Sequence, residues 1–152
     1  MMDGDQLKHN ILNDMRTELA DEFDKNFDRK AFFTKKWKRR ANPDAKGSLL
    51  MVTGTMRRSV KAEVKVNGVR FSSAVPYAAI HNEGGKGTKQ VRQHYRTSKK
   101  GKTYTVKAHT RKFTMPQRQF VGDGKRTQEI IKGVIADNVS NFDRQLFKFI
   151  MK

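Results

Sequence analysis

The sequence predicts an α+β fold: a small antiparallel sheet with a projecting basic β-hairpin, packed by long N- and C-terminal helices. Three observations predict it. Apolar residues recur every four positions from Leu7 to Phe27, the spacing of one helix face. A second apolar face runs from Thr127 to about Lys148. Between them, two stretches rich in alternating or β-branched residues each fold about a turn signal, and strands grouped between helices argue for an antiparallel sheet.

The first helix carries Leu7, Ile11, Met15, Leu19, Phe23 and Phe27, with Leu12 and Ala20 widening the stripe. A spacing of four drifts around a helix of about 3.6 residues per turn, so the contact line winds along its surface. Asp3 or Asp5 can cap its start. A basic connection follows over 29–48, in which Phe32, Phe33 and Trp37 extend a helical face and Asn42-Pro43 marks a turn. Basic residues interleaved with aromatics can stack on single-stranded nucleic acid. The plainer reading anchors the aromatics in the core and leaves the charges solvated.

Leu49 to Val52 is a short apolar run, and Thr53 can cap a helix from Gly54 to about Val60. Ala62, Val64 and Val66 then alternate with Glu63 and Lys65. Asn67-Gly68 predicts a hairpin turn, since both residues accept positive φ, and Val69, Phe71 and Ser73 return along the second strand. Tyr77 to Gly85 predicts a short helix ended by Gly84. Val91–Thr97 and Thr103–His109 predict a second hairpin turning at 98–102. It carries Lys89, Arg92, Arg96, Lys99, Lys100, Lys102, Lys107, Arg111 and Lys112 and has little to bury. A ribbon so polar does not hold alone in water, so it is expected to project as an arm that another subunit or partner completes.

Met115 to Gly122 forms a rigid bend around Pro116. In the last helix Ile130, Ile131, Val134, Ile135, Val139, Phe142, Leu146, Phe149 and Ile150 trace one apolar face, with Asp123 as its cap. The whole forms one domain over 1–152. Its parts are a helix with a basic extension (1–38), a hairpin core with short helices (49–85), the basic arm (86–114) and the C-terminal helix (123–150).

Composition narrows the function. The chain has 152 residues, 33 Lys or Arg against 15 Asp or Glu, a net charge of +18 and no cysteine. Without cysteine there is no disulfide scaffold, thiol nucleophile or Cys-ligated metal, which fits a reducing compartment. No apolar run approaches the roughly 20 residues of a membrane span, and Met1 to Asp14 is too acidic and polar for a signal peptide. Residues 1–28 carry eight acidic and three basic side chains, whereas 71–122 carry eleven basic and one acidic. Positive charge thus sits in the middle of the chain. It suits nucleic acid, an anionic surface or an acidic protein face as partner.

Catalytic patterns are sparse. His81, Asn82 and Glu83 are sequence neighbours and point different ways on a helix. His9, His94 and His109 stand apart, without metal-ligand spacing. The basic centre lacks the clustered carboxylates of a two-metal nuclease. Gly84 to Lys89 only faintly echoes a phosphate-binding loop and is expected to give flexibility at the base of the arm. Neither enzyme activity nor a cofactor or metal is expected.

Three blocks carry a resemblance. Leu50 to Val60 (with Thr53-Gly54-Thr55-Met56-Arg57-Arg58-Ser59), Val75 to Gly85 (with Tyr77-Ala78-Ala79-Ile80-His81-Asn82-Glu83-Gly84) and Met115 to Gly122 (with Pro116-Gln117-Arg118-Gln119-Phe120-Val121-Gly122) resemble, in order, T-G-x-L-R-x-S, Y-A-x-x-H-x-x-G and P-x-R-x-F-x-G. These are blocks of the tailed-phage virion morphogenesis, or tail completion, family, which includes a Mu-like morphogenesis protein. The family is also similar to the neck proteins of long-tailed siphophages. Met56 replaces the usual Leu, a tolerated core swap. Gln117 and Gln119 stand where Ala and Pro are commoner, so a less rigid bend is expected.

The resemblance implies a small α+β subunit without enzyme activity, forming a six-fold ring at the head–tail junction or the top of the tail. Its location is the virion, after assembly in the host cytoplasm. Implied partners are further copies of the chain, connector or neck proteins, tail tube proteins and the double-stranded DNA in the channel. No membrane is involved. Tyr77 and Phe120 suit the core, and with Arg57, Arg58 and Arg118 they are the candidate subunit or partner contacts. The arm cations named above are candidate contacts to the DNA channel or to a neighbour. A different class of reading makes the chain a nucleic-acid-binding protein that uses the 86–112 hairpin.

Overall fold

The computed structural model describes residues 3–42 and 44–151. Helix α1 (Gly4–Arg29) is capped by Asp3, whose Oδ1 accepts the Gln6 N–H at 2.8 Å. It buries Leu19, Phe23, Asn26 and Phe27 and ends at Lys30, which is left-handed at φ 51°. The expected helical extension through Phe33 and Trp37 is therefore absent. The chain reverses instead through two short strands, β1 (Ala31–Phe32) and β2 (Lys35–Lys36), with Phe33 at φ 52°. The reversal brings Phe32 over Phe23 at 6.3 Å and Trp37 edge-on to Phe27 at 5.8 Å. A continued helix would carry both away from that core.

In the following loop the Asn42 Oδ1 accepts the Asp44 N–H at 3.0 Å, a local turn. Pro43, part of the turn signal, lies outside the described residues. The next helix, α2 (Thr55–Ser59), is preceded by Gly54 at φ 68°. Gly54, not Thr53, is thus the cap position, because the chain enters the helix from a left-handed residue. The Thr53 hydroxyl takes a long bond from the Thr55 N–H, 3.4 Å, and a closer one with the Thr55 hydroxyl, 2.9 Å.

Strands β3 (Val60–Lys65) and β4 (Gly68–Ser73) form the predicted hairpin. Lys65 pairs with Gly68, so the turn is Val66-Asn67 rather than Asn67-Gly68, and neither Asn67 nor Gly68 takes a positive φ. Val66 is exposed in that turn and does not continue the inward face. Phe71 meets Phe23 edge-on at 4.9 Å and seats the ribbon on α1. Helix α3 (Ala78–Glu83) ends at Gly84 as expected. A Cβ at Gly84 would lie 2.8 Å from the Gln117 backbone nitrogen, and φ is +74°.

The basic hairpin is longer than predicted and comes in two ribbons. Strand β5 (Gly85–Val91) pairs with β8 (His109–Met115), and β6 (His94–Thr97) with β7 (Thr103–Val106). The ladder breaks at 92–93 and 107–108. There the His94 and His109 rings bond the carbonyls of Arg92 and Lys107 at 2.9 and 2.8 Å.

Helix α4 (Lys125–Ile150) is preceded by Gly124. Asp123 does not cap it. Its carboxylate takes the Gly124 N–H at 2.8 Å and the Gln128 side chain at 2.6 Å instead. Ile130 and Val134 join Leu19, Phe23 and Phe32 in one core cluster, while Phe27, Trp37, Met56, Ala78 and Phe120 form the other. Past Val134, Asn138 still bonds Asp14 of α1, and Phe142 and Leu146 are half-buried, whereas Ile135, Val139, Phe149 and Ile150 of the predicted face are exposed. Among the described residues no helix is long and apolar enough to cross a membrane.

Candidate functional site

The second sequence block bonds the bend at 116–122, and Met56 of the first shares a core cluster with Phe120. The Arg118 backbone N–H donates to the His81 carbonyl at 2.8 Å. Asn82 Oδ1 accepts from the N–H groups of Phe120 and Val121 at 2.9 and 3.1 Å. From the other side Asn26 Nδ2 donates to the Phe120 carbonyl at 3.1 Å, and Trp37 Nε1 to that of Gln119 at 2.6 Å. The bend expected to be less rigid is thus fastened by side chains from three separate segments.

Phe120 is only 3% exposed and packs on Phe27 at 5.0 Å. It fills the core, as its aromatic bulk suggests, and presents no surface to a partner in this conformation. Tyr77 behaves oppositely. Expected in the core, it is 46% exposed with its ring edge-on to His81. It starts α3 at the surface, where a partner can reach it.

The three candidate arginines have separate duties. Arg57 lies against α1: Nε donates to Asp24 Oδ1 at 2.6 Å, Nη1 to Asp28 Oδ1 at 2.7 Å, and Nη2 to the second oxygen of each carboxylate. These bonds, Asp24 first and Asp28 second, hold its pKa above the ordinary arginine value. Its charge is neutralised within the protomer. Arg58 is exposed and donates to the Thr53 carbonyl at 2.9 Å. Arg118 is 5% exposed; Nε donates to the Lys38 carbonyl at 3.0 Å and Nη2 to that of Arg39 at 3.4 Å. Burial, and then the nearby Arg40 charge, lower its pKa.

Arg118 lines a cavity of about 360 Å³ with Arg40, His81, Met56 and Met115. Arg40 itself donates to the carbonyls of Ala45, Lys46, Gly47 and Ser48, which wrap the loop around it. His81 Nδ1 is buried and has no hydrogen-bond partner among the described residues. Its pKa is lowered by burial and, secondarily, by Arg118.

The arm cations stand apart from this cluster. Lys89, Arg92, Arg96, Lys99, Lys100, Lys102, Lys107, Arg111 and Lys112 are all exposed, and among the described residues none forms an ion pair. Lys89 pairs directly across the ribbon with Arg111, and Thr88 with Lys112. Consecutive pairs face opposite sides, so positive charge covers both faces. Like charges set directly opposite one another are destabilising. Among the described residues no cluster of His, Asp and Glu could hold a metal ion.

Residues 3–140 match the model of the phage virion morphogenesis family. The chain belongs to that family. It matches no curated protein and no solved structure. Membership of the virion morphogenesis family gives the chain a structural or assembly role in a phage, associated with the virion. The matched span includes both core clusters and the whole arm, and stops within α4 before Phe142.

Sequence reasoning about this virion morphogenesis protein missed Asn26, Asn82 and Arg40. Asn26 had a signal: it is a polar residue one turn after Phe23 in an otherwise apolar stripe, and such a residue must satisfy its amide when buried. Asn82 is visible only as a neighbour of His81. The carbonyl cradle of Arg40 depends on loop geometry that spacing does not encode.

Proposed function

We propose that the chain is a structural subunit of a phage neck or tail-terminus ring that joins tail to head and surrounds the DNA channel. One observation carries the reading: an exposed two-ribbon arm, basic on both faces and without an internal counter-charge, on the core of a virion morphogenesis protein. The ring is six-fold. Its neighbours are further copies of the chain, connector or neck proteins and tail tube proteins, with double-stranded DNA passing through. Such an arm can add its edge to a neighbouring sheet or line the channel with positive charge. Channel charge must stay moderate, because DNA held too strongly cannot leave. Ring contacts are heterologous, one patch meeting a different patch on the next copy.

The mass of the purified chain in solution, alone and with connector or tail partners, tests this. A closed oligomer and headless or tailless particles on deletion are expected. A persistent monomer whose deletion leaves particles complete overturns it.

A second reading has its own observation. Lys89 opposes Arg111 and Tyr95 is 75% exposed on the same arm, a pairing of charge and aromatic surface suited to nucleic acid. Here the isolated monomer binds DNA tightly and loses affinity steeply with salt.

A further inference from the structure

Arg118 carries a full charge into the protein interior, and among the described residues it forms no ion pair with a carboxylate. Its guanidinium has two backbone carbonyls and the Met115 sulfur at 3.6 Å. A buried charge is costly without a counter-ion. The neighbouring Arg40 has the same sign, and His81 Nδ1 in the same cavity has no hydrogen-bond partner among the described residues. The cavity is open at a rim where Val52 and Tyr77 are exposed, and Leu49, Leu50 and Met56 make its walls apolar. A missing anion on an apolar support is what this arrangement calls for. A DNA phosphate fits poorly, since apolar walls would strip its hydration without replacing it. A carboxylate on an apolar protein segment fits both requirements.

The chain itself carries such a segment. The outer half of α4 leaves Phe147 and Ile150 64% and 68% exposed. Asp143, Phe147 and Ile150 follow at i, i+4 and i+7, so one helix face presents a carboxylate beside two large apolar side chains. Asp143 forms no ion pair among the described residues. By contrast, most acids of α1 are engaged: Asp3 caps the helix, Asp14 binds Asn138, Asp21 and Glu22 bind Lys25, and Asp24 and Asp28 hold Arg57. The α4 segment lies beyond the family match, which ends at residue 140.

We infer that the Arg118–Arg40–His81 cavity receives the outer half of α4 from a second copy of this chain, with Asp143 as the missing counter-ion. Pocket and helix are different patches of one chain, so the contact is heterologous and repeats from copy to copy. The inference rests on the ring reading and names the contact that builds the ring.

Two variants at exposed positions test it. Val52→Arg blocks the mouth of the pocket. Asp143→Lys with Phe147→Ser spoils the helix face. Circular dichroism and thermal melting are expected to match the wild type for both. Under conditions where the wild type assembles, each variant alone is expected to stay monomeric. Mixed in equal amounts they should give a heterodimer and nothing larger, because the mixture retains one intact pocket and one intact helix per pair. Wild-type assembly by either variant, or no heterodimer on mixing, overturns this contact while leaving the ring in place. A wild-type chain that stays monomeric even with connector or tail partners, and whose deletion leaves particles complete, overturns the ring reading and this contact with it.

Discussion

Arg57 of α2 grips Asp24 of α1 side-on, its Nε 2.6 Å from Oδ1, and with Nη1 and Nη2 it reaches Asp28 one turn further along the helix. One guanidinium thus clamps two carboxylates in the planar, two-pronged geometry that arginine supplies and lysine cannot. The clamp ties the first signature block to the N-terminal helix. It also explains part of the acidic bias at the start of the chain: some of that charge serves the fold.

Replacing Arg57 by Lys is expected to lower stability by about 1 kcal/mol, the scale of a well-aligned but partly exposed ion-pair network. Urea denaturation of Arg57→Lys, Asp24→Ala and the double variant measures the coupling. Strict additivity of the two single changes would mean that the Arg57 fork gains nothing from Asp24.

Asn26 is completely buried and serves two loops, holding the Phe33 N–H at 2.9 Å and the Phe120 carbonyl at 3.1 Å. Asn26→Ala strands both groups in the core. The expected loss is about 2–3 kcal/mol, well beyond that of a surface change. Denaturant midpoints compare it with Glu18→Ala at an exposed position of the same helix, where almost no loss is expected.

His81 gives the protein a pH dependence above the range where carboxylates titrate. Burial, then Arg118, depress its folded-state pKa below the ordinary 6.5. Between the folded and unfolded values the unfolded chain binds more protons, so stability is full above about 6.5 and falls as pH drops through the folded pKa. Melting temperature is expected to decline from pH 7.5 to 5.5 in the wild type and to stay flatter in His81→Gln. Equal slopes for the two proteins would remove His81 as the cause.

The arm folds by its own two ladders, so its tip can change without unfolding the molecule. Lys99, Lys100 and Lys102 replaced together by Glu should leave the melting temperature within a few degrees. On the ring reading the triple variant impairs assembly or DNA passage. On the nucleic-acid reading it chiefly abolishes DNA binding by the monomer. Particle yield and a salt-titrated binding assay separate the two.

Much of the fold was legible because it is periodic. The stripe from Leu7 to Phe27 and the face through Ile130 and Val134 name their helices, and Gly84 marks the end of α3. What escaped depends on distant contacts. Phe33 and Trp37 have helical spacing, yet the pull of Phe32 and Trp37 toward Phe23 and Phe27 turns the chain back. Asn67-Gly68 is a strong local turn signal, but the ribbon's register places the turn one residue earlier. At the site, the arm was readable from its composition. The uncompensated charge of Arg118 was not, because only the folded structure shows which cations lack a counter-ion.

The proposed ring places this virion morphogenesis protein around the DNA path. Low-resolution imaging of assembled particles, with the subunit labelled at its arm tip, tests it most directly. A ring subunit is expected to give label confined to the head–tail junction or tail end and arranged around the channel. Label scattered along packaged or free DNA, or intact particles that lack the protein altogether, would contradict it.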